Sequence, residues 1–255
     1  FNKLLREELN LEHVFVHPHA GDGGIAAGSA LLVHAQKDPS TRPYRLQNAA
    51  LGASFSTEEI EVVLQNRSTE ISYERLDDRP GYTASALASG KVIGWFQGAA
   101  EWGPRALGQR SVIADPRSLD TKERINSTLK NRDWFMPFAP AVMFEHTAEY
   151  FERAYESPFM TLAFDVVPGH EAKIPAAIHI DNTARPQTVR REQNAPYYEV
   201  IEAFYKLTGV PVVLNTSFNR HGLPIVNSPD DAVDHLIWSC VDELVIGDFV
   251  ARRRA

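Results

Sequence analysis

The sequence of 255 residues contains a single cysteine, Cys240, in the apolar stretch LIWSCVDEL. One cysteine excludes an intramolecular disulfide and a zinc site built from several cysteines. Its apolar surroundings favour a small buried hydrophobic side chain over a nucleophile, and the lack of disulfides fits a reducing, cytoplasmic compartment. No apolar run reaches the roughly 18 residues of a membrane span, so the sequence predicts no membrane partner.

Two common enzyme motifs are missing as well. The sequence has no G-x-S-x-G motif, which presents the nucleophile of many hydrolases, and no G-x-x-x-x-G-K-[ST] phosphate loop. Positive charge is scarce, because 26 Lys and Arg stand against 33 Asp and Glu, a formal net charge of -7. Nucleic-acid affinity comes mainly from Lys and Arg that neutralise phosphates, so no nucleic-acid partner is expected and any cationic site must be local.

Hydrophobic residues make up 44% of the chain, which is ample for a buried core. They fall into short strand-like runs that alternate with helical stretches near 81–89, 120–129, 196–207 and 229–239. This alternation predicts an α/β fold, with a twisted sheet of mixed strand directions and flanking helices. The strand-like runs are residues 71–76, 91–97, 139–144, 160–167, 176–180, 210–215 and 243–251.

The first part of the chain has a different organisation. It is predicted to form a helix (FNKLLREEL), a strand (HVFVHP), a glycine-rich turn (HAGDGG) and a helix of small residues (IAAGSALLVHAQ). Residues 38–56 read as a loop, after which Ser56 and Glu59 form a capping box for the next helix. We therefore divide the chain into regions 1–67 and 68–255. Because it opens inside a helix without Met, we expect a piece of a longer protein.

Cationic residues collect in loops beside apolar strands. WFQGAAEWGPRALGQRS contains Arg105 and Arg110, NSTLKNRDWFMPFAP contains Lys130 and Arg132, and IDNTARPQTVRR contains Arg185. Guanidinium groups bind planar oxyanions through two parallel hydrogen bonds, and Lys adds a mobile charge. In an acidic protein this clustering indicates an anionic ligand of the phosphate type.

The alternative for each cation is solvation or a surface ion pair. We favour that alternative for Arg190, Arg191 and the terminal residues 252–254. It is weaker for Arg105 and Arg110, because neither lies on an amphipathic helix and both occupy a loop stiffened by Pro104.

Polar groups also follow the apolar run VPVVLN, where Asn215, Thr216 and Ser217 lie at the end of a predicted strand. Open α/β sheets tend to bind ligands at strand ends, so these residues are candidate ligand contacts. An ordinary turn is the alternative. It remains open from the residues alone.

The segment HPHAGDGG places His17, His19 and Asp22 close together, which raises the possibility of a metal site. Three ligands so near on one turn rarely reach one ion, so capping of the following helix by Asp22 is the simpler interpretation. Residues 21–26 also match the dinucleotide fingerprint G-x-G-x-x-A. That match is weak, because Asp22 would put a carboxylate beside a pyrophosphate.

Taken together, four strings resemble the O-carbamoyltransferases of the nodulation protein U and antibiotic-biosynthesis type. The strings occur in the family's order and cover most of residues 90–250. They are EWGPRALGQRSVIADPR, LKNRDWFMPFAPAV, RPQTVRREQNAPYYEVIEAF and TGVPVVLNTSFNRHGLPIVNSPDDAVD.

The resemblance implies a two-part architecture. Residues 68–255 would form a YrdC-like domain that makes carbamoyl adenylate from ATP and carbamoyl phosphate. Residues 1–67 would be the end of a domain of the Kae1 and actin-like ATPase type, which passes the carbamoyl group to the hydroxyl of a small-molecule acceptor. Asp22 matches an aspartate that the family uses to bind iron or another divalent metal, and magnesium is expected with ATP.

The resemblance also implies roles for the loop residues. Arg105, Arg110, Lys130, Arg132 and Arg185 would hold carbamoyl phosphate and stabilise charge during the reaction. Many members carry Arg before the string PFAP, where this chain has Met136. The residues expected to contact the nucleotide are Arg185, Asn215, Thr216 and Ser217.

Two other functions share this fold class. One is a module that binds a nucleotide or acyl phosphate without turning it over. The other is a YrdC-type enzyme that makes threonylcarbamoyl adenylate for tRNA modification, which the acidic composition disfavours.

Overall fold

Eight strands form one mixed sheet in the computed structural model, which describes residues 1–42, 46–133 and 135–254. The strand order is β1-β10-β9-β2-β3-β8-β4-β7. The pairs β2–β9 and β4–β7 are parallel, and the other neighbours are antiparallel. The strands are β1 (Ile71–Arg75), β2 (Ile93–Phe96), β3 (Arg110–Ala114), β4 (Ala139–Met143), β7 (Gln187–Val189), β8 (Val212–Ser217), β9 (Glu243–Ile246) and β10 (Phe249–Arg253); β5 (Phe164–Asp165) and β6 (Thr183–Ala184) pair separately.

The α-helices of the described residues flank this sheet or precede it. A π-helical segment, Ile125–Lys130, continues α5 directly. No helix in the described ranges is long and apolar enough to cross a membrane. The α-helices are α1 (Asn2–Glu8), α2 (Asp22–Lys37), α3 (Thr57–Asn66), α4 (Arg79–Ala88), α5 (Leu119–Arg124), α6 (Thr147–Tyr150), α7 (Ala195–Thr208) and α8 (Pro229–Trp238).

The central strands are buried on both faces, which explains their continuous apolar runs. Along β2, Trp95 packs into a core shared with α4 and α7, whereas Phe96 packs into a second core shared with α3 and α8. Successive side chains of a strand point to opposite faces, so one short run supplies both cores. The helices thus form a layer on each side of the sheet.

Helix boundaries follow the capping chemistry of the sequence. The predicted capping box of Ser56 and Glu59 is confirmed at the start of α3. Ser228 likewise caps α8, where Pro229 occupies the first turn. Such caps satisfy backbone N–H groups that have no partner within the helix.

Part of the strand prediction was wrong. Residues 13–18 (HVFVHP) and 176–180 (AAIHI) form no strand, and the run 160–167 contributes only the two residues of β5. The strands β3 and β7 were missed because polar residues interrupt their apolar pattern. In the predicted loop 38–56, residues 38–42 and 46–56 form no helix or strand; Pro43, Tyr44 and Arg45 lie outside the described residues.

The first region differs from the rest in burial as far as the end of α2, whereas its α3 packs into the second core. The helices α1 and α2 contain no buried residue, and α2 exposes Ile25, Leu31 and Leu32. Its segment before α2 contacts the main region through His17 and His19, whose rings lie edge-on to Trp102 at 5.1 and 5.5 Å between centroids. The division at residue 67 stays a prediction.

Candidate functional site

The strand order gathers several loops at one edge of the sheet. Antiparallel pairing places the start of β3 beside the end of β8, since Ser111 opposes Ser217. Asn215 of β8 opposes Ala139 at the start of β4. Because β7 runs parallel to β4, its start lies at this edge too. The loops before β3, β4 and β7 carry the predicted cations, so the fold brings distant segments together here.

Five cations form a group that we call the cationic cluster: Arg105, Lys122, Lys130, Arg132 and Arg185. Their proximity is visible in their mutual electrostatic effects. The pKa of Arg185 is lowered to about 10, mainly by burial and to a smaller extent by the charges of Arg105 and Arg132. The charge of Arg132 also lowers the pKa values of Lys122 and Lys130, in each case after a larger effect of burial. Like charges therefore meet in a partly desolvated place.

The cationic cluster lacks counter-charges. Within residues 1–42, 46–133 and 135–254, none of its five members forms an ion pair with a carboxylate. The side chains of Arg105 and Arg185 make no hydrogen bond in that part of the chain, and Nε of Arg185 is buried without a partner. Unpaired cations that are partly desolvated are costly, so the arrangement is suited to an anion.

Arg105 lies in a loop held from inside by Glu101. One carboxylate oxygen, Oε1, accepts the backbone N–H groups of Leu107 at 2.7 Å, Gln109 at 2.8 Å and Arg110 at 3.2 Å. Burial raises the pKa of Glu101, while these hydrogen bonds oppose that rise. Glu101 therefore acts as an internal template for the loop.

The same loop is fixed from outside. Gly108 has φ of +93°, and a Cβ there would lie 2.2 Å from Cδ1 of Tyr197, so only glycine fits. Trp95 Nε1 donates to the carbonyl of Gly108 at 2.9 Å, and Gln187 Nε2 donates to that of Leu107 at 2.8 Å. Arg105 thus projects from a backbone with little freedom.

Arg110 is not brought into the cationic cluster. It is fully buried, and its guanidinium donates to the carbonyls of Gln97 at 2.6 Å and of Ala53 and Gly98 at 3.1 Å. It also stacks on Phe96, with Cζ 3.6 Å from the ring centroid. These contacts give Arg110 a structural role, and a direct role in the reaction stays a prediction.

Lys130 links the π-helical segment to the end of β8. Its Nζ lies 2.6 Å from the carbonyl oxygen of Ser217, 3.1 Å from Ser217 Oγ, and 2.7 and 3.0 Å from Oδ1 and the carbonyl oxygen of Asn219. Burial, with Arg132 adding to it, lowers the pKa of Lys130 to about 7. The oxygen acceptors around Nζ favour the ammonium form, whereas burial favours the neutral amine. Because the pKa of Lys130 lies near neutrality, the charge of a bound ligand can decide whether Lys130 is protonated.

Arg132 is oriented by its neighbours but keeps free donors. Its Nε donates to Asn126 Oδ1 at 2.8 Å and one terminal nitrogen donates to the carbonyl of Pro137 at 3.2 Å. The guanidinium also lies over Phe138, 4.4 Å from the ring centroid. The remaining terminal nitrogen makes no hydrogen bond within the described ranges, which leaves it for a ligand.

The predicted nucleotide contacts of β8 have different surroundings. Asn215 is buried, and its Nδ2 donates to the carbonyl of Ala106 and to Gln187 Oε1, both at 3.2 Å. Its Oδ1 is buried without a partner. Ser217 contacts Lys130, whereas the side chain of Thr216 makes no hydrogen bond in the described part of the chain. Asn215 thus contacts Ala106, the residue after Arg105, and Ser217 contacts Lys130 of the cationic cluster.

Sequence reasoning missed four residues of this site. Lys122 lies in a helix and Glu101 in a loop, and charged residues in such positions are normally expected at the surface. Asn219 follows the string LNTS by one residue, and His179 belongs to a run wrongly predicted as a strand. Electrostatic coupling places His179 near Lys122 and Arg185. The clearest available signal was the dense polar sequence HIDNTAR, which contains both His179 and Arg185.

The predicted metal ligand, Asp22, is the exposed first residue of α2. Among the described residues, no group of three or more His, Cys, Asp or Glu side chains is arranged to hold a metal ion. A complete metal site is therefore not formed by these residues. The role of Asp22 stays a prediction.

Among the cations expected at the surface, Arg191 is exposed and Arg252 is half-buried, and both form ion pairs. Arg191 pairs with Glu199 at 2.7 Å and Glu202 at 3.2 Å. Arg252 pairs with Glu243 and Glu74. They differ from the cationic cluster in having carboxylate neighbours.

The sequence also matches a known family. The model of the carbamoyltransferase C-terminus matches residues 84–253, which contain all four strings described above. This chain belongs to the carbamoyltransferase C-terminal family. The predicted resemblance to O-carbamoyltransferases is thereby confirmed for this part of the chain, and the cationic cluster lies within the residues that the family model matches.

The relatives that this chain matches are much longer. The nodulation protein NolNO of Sinorhizobium fredii (strain NBRC 101917 / NGR234) is 43% identical over 259 residues, which cover 99% of this chain and 38% of that protein. The 3'-hydroxymethylcephem-O-carbamoyltransferase of Streptomyces clavuligerus is 34% identical, and the match covers 95% of this chain and 44% of that protein. The chain thus spans less than half the length of these carbamoyltransferase relatives.

Among solved structures, full-length HypF in its phosphate- and nucleotide-bound form aligns with 69% of this chain and 22% of its own. The TM-score is 0.46 at 16% sequence identity. A similarity at that level does not establish a shared fold. The structure confirms an α/β fold with a large mixed sheet, while the YrdC-like assignment and the Kae1-like origin of the first region stay predictions.

Proposed function

We propose that this chain is the part of an O-carbamoyltransferase that binds carbamoyl phosphate and ATP and forms carbamoyl adenylate. The balanced reaction consumes both substrates and one water, and it releases phosphate and pyrophosphate. Transfer to a hydroxyl of a small-molecule acceptor would follow. The membership of the carbamoyltransferase C-terminal family supports carbamoyl transfer as the reaction class.

One observation carries the assignment to the cationic cluster. Arg185 is partly desolvated, the exposed Arg105 repels it, and neither has a carboxylate partner in the described residues. Carbamoyl phosphate and ATP repel each other, so a site that binds both needs fixed positive charge between them. Guanidinium groups that are already in place also stabilise charge that develops on phosphate oxygens during reaction.

The residues have separate tasks in this proposal. Arg105 and Arg185 hold the phosphate of carbamoyl phosphate, and Arg132 offers its free donor to the same group. Lys130 and Ser217 at the end of β8 face the nucleotide, and the buried Asn215 lies two residues before Ser217 on the same strand. Glu101 keeps the backbone around Arg105 in its bound shape before the ligand arrives.

Magnesium would enter with ATP, because it commonly bridges nucleotide phosphates. A second divalent metal such as iron is implied by the family resemblance through Asp22. The described residues do not supply a complete ligand set for that metal. No step assigned to this chain depends on it.

The test is an assay for pyrophosphate release by the protein with ATP, carbamoyl phosphate and magnesium. We expect release that requires both substrates and that falls at least about tenfold in Arg105→Met or Arg185→Met. Arg191→Met, which removes an ion-paired surface cation, is the matched control and should keep the activity. Release by wild-type protein that is unchanged in both cluster variants would contradict the assignment of the site.

The two alternative functions give different results in the same experiment. A module that only binds would hold a non-hydrolysable ATP analogue in calorimetry and release no pyrophosphate. A threonylcarbamoyl adenylate synthase would need threonine and bicarbonate in place of carbamoyl phosphate. Either result would overturn carbamoyl adenylate formation.

A further inference from the structure

His179 lies beside the cationic cluster in a defined hydrogen-bonded turn. Its Nδ1 is 2.8 Å from Thr183 Oγ1, and that hydroxyl lies 2.8 Å from Asp181 Oδ1. A hydroxyl has one hydrogen to donate, and the carboxylate can only accept. Thr183 therefore donates to Asp181 and accepts from His179, which places the imidazole hydrogen on Nδ1.

This chain of hydrogen bonds leaves Nε2 as the nitrogen that can gain or lose a proton. Within the described residues Nε2 makes no hydrogen bond, whereas Nδ1 is held by Thr183. The backbone fixes the ring's position as well, because the N–H of His179 donates to the carbonyl of Thr183 at 2.8 Å. His179 is thus a positioned imidazole with one free nitrogen.

The charges around His179 come from three elements. Asp181 belongs to its own turn, Arg185 directly follows β6, and Lys122 projects from α5. Thr183 and Arg185 are two residues apart in an extended segment, so their side chains share a face. On the paired strand β5, Asp165 is engaged by Lys3 at 3.1 Å.

Without a ligand these surroundings favour the neutral ring. Burial lowers the pKa of His179, Asp181 raises it, and Arg185 and Lys122 lower it again. An anion that neutralises Arg185 would remove part of the repulsion and would add an attraction of its own. Both changes favour imidazolium, so the charge of His179 depends on whether the cationic cluster is occupied.

We propose that His179 is an anion-responsive member of the site, which takes up a proton at Nε2 when a phosphate-type ligand binds and then contributes a charged hydrogen bond to it. This rests on the proposed function, since it assumes an oxyanion between Arg105 and Arg185. The proton comes from solvent and returns there when the ligand leaves. The device supplies a further cation only when an anion is present, and so avoids another unpaired charge in the empty site.

Protonation of His179 should make the affinity for an anion depend on pH. If ligand binding raises the pKa of His179, the complex binds more protons than the free protein, and affinity rises as pH falls through the window between the two pKa values. At higher pH the ring is neutral in both states, and the contribution disappears. An opposite charge within a few ångströms shifts a pKa by about one unit or more, so we expect affinity several-fold higher at pH 6 than at pH 8.

Sulfate is a suitable probe because its charge stays constant across this range, unlike that of phosphate. Calorimetry of sulfate binding in two buffers with different ionisation enthalpies, at matched ionic strength, measures proton uptake directly. We expect wild-type protein to take up a substantial fraction of a proton in weakly acidic buffer. His179→Gln should bind sulfate within about tenfold of wild type while losing most of that uptake.

Two control variants separate other sources of protons. Lys130 also titrates near neutrality, so Lys130→Met is measured in parallel; it should remove the uptake above pH 7 and keep the part in weakly acidic buffer. His34→Gln changes an exposed imidazole of α2 and should behave as wild type. If His179→Gln took up as many protons as wild type, the inference about His179 would be overturned. Sulfate binding by the same variant would still support the proposed anion site.

A second measurement does not depend on the variant folding. The ring C–H resonances of His179, followed by NMR against pH in wild-type protein, should shift to a higher pKa when sulfate is added, by about one unit. An unchanged titration in the presence of bound sulfate would overturn the inference alone. Failure of wild-type protein to bind sulfate at all would overturn both the inference and the proposed anion site.

Discussion

Glu101 accepts the backbone N–H of Leu107 at 2.7 Å, and with two further amides it fixes the loop that carries Arg105. We expect Glu101→Ala to lower the free energy of unfolding by at least about 2 kcal/mol, because each buried donor left without an acceptor costs roughly 1–3 kcal/mol. Urea unfolding measures this loss.

The same substitution should weaken ligand binding, since Arg105 would lose its preorganised backbone. Glu61→Ala removes an exposed carboxylate from α3 and serves as the control. Equal stability of the two variants would show that Glu101 does not template the loop. Glu101→Gln should recover part of the loss, because an amide oxygen can still accept.

Arg185 illustrates a conflict between stability and function. It is partly desolvated, Arg105 and Arg132 repel it, and its Nε is buried without a partner. We expect Arg185→Met to stabilise the protein without ligand by about 1 kcal/mol, or roughly 2–4 °C in Tm for a domain of this size. Thermal unfolding in a sulfate-free buffer makes the measurement.

Addition of pyrophosphate should reverse that order. A ligand that binds only the folded state stabilises it by about 2.7 kcal/mol at one hundred times its Kd, and Arg185→Met would lose this gain. Arg191→Met should show the wild-type response to pyrophosphate, because its parent side chain is paired with two carboxylates. Loss of stability in Arg185→Met without ligand would contradict the idea that the charge is uncompensated.

Arg110 should affect folding more than affinity. Its guanidinium donates to the carbonyls of Gln97, Gly98 and Ala53, which belong to two separate backbone segments, and it stacks on Phe96. Lysine keeps the charge but cannot reach these acceptors with the same planar geometry. We therefore expect Arg110→Lys to lose about 2–4 kcal/mol of stability, measured by urea unfolding.

The affinity of folded Arg110→Lys for pyrophosphate should stay within several-fold of wild type, in contrast to Arg105→Lys. Calorimetry at a temperature where both variants are folded makes the comparison. A variant with normal stability and abolished binding would instead return Arg110 to the ligand site.

Local features of the structure could be predicted from the sequence, whereas the surroundings of individual cations could not. The capping box of Ser56 and Glu59 is local chemistry, and the sequence predicted it. Arg105 and Arg110 are five positions apart in one string, yet one is unpaired at the surface and the other is buried among carbonyls. Sequence spacing does not encode that difference, which arises from the β2–β3 register and from the packing of residues 53–55 against Phe96.

Convergence of distant segments was predictable only in outline. The string of each loop indicated cations, but the parallel pairing of β4 with the missed strand β7 brings Arg132 and Arg185 to one edge. His179 and Lys122 entered the site through tertiary contacts between α5 and residues 175–177. Residues 176–180 were predicted to be a strand but form none, so the sequence could not place His179 or Lys122 in the site.

Lys130 should make the free energy of unfolding depend on pH. Its pKa is about 7 in the folded protein and ordinary in the unfolded chain, near 10.4. Between these values the unfolded state binds more protons, so the free energy of unfolding should rise with pH by up to about 1.4 kcal/mol per pH unit from this group. Below pH 7 both states carry the proton and the contribution is flat.

The difference between wild type and Lys130→Met isolates this contribution, with unfolding measured in urea from pH 6 to 10. Lys206→Met, which removes an exposed amine paired with Glu202, should keep the wild-type slope. A bound polyanion favours the ammonium form, so pyrophosphate should move the start of the rise to higher pH. If wild type and Lys130→Met share one slope in the absence of ligand, Lys130 keeps its proton throughout, and the four oxygen acceptors around Nζ outweigh its burial.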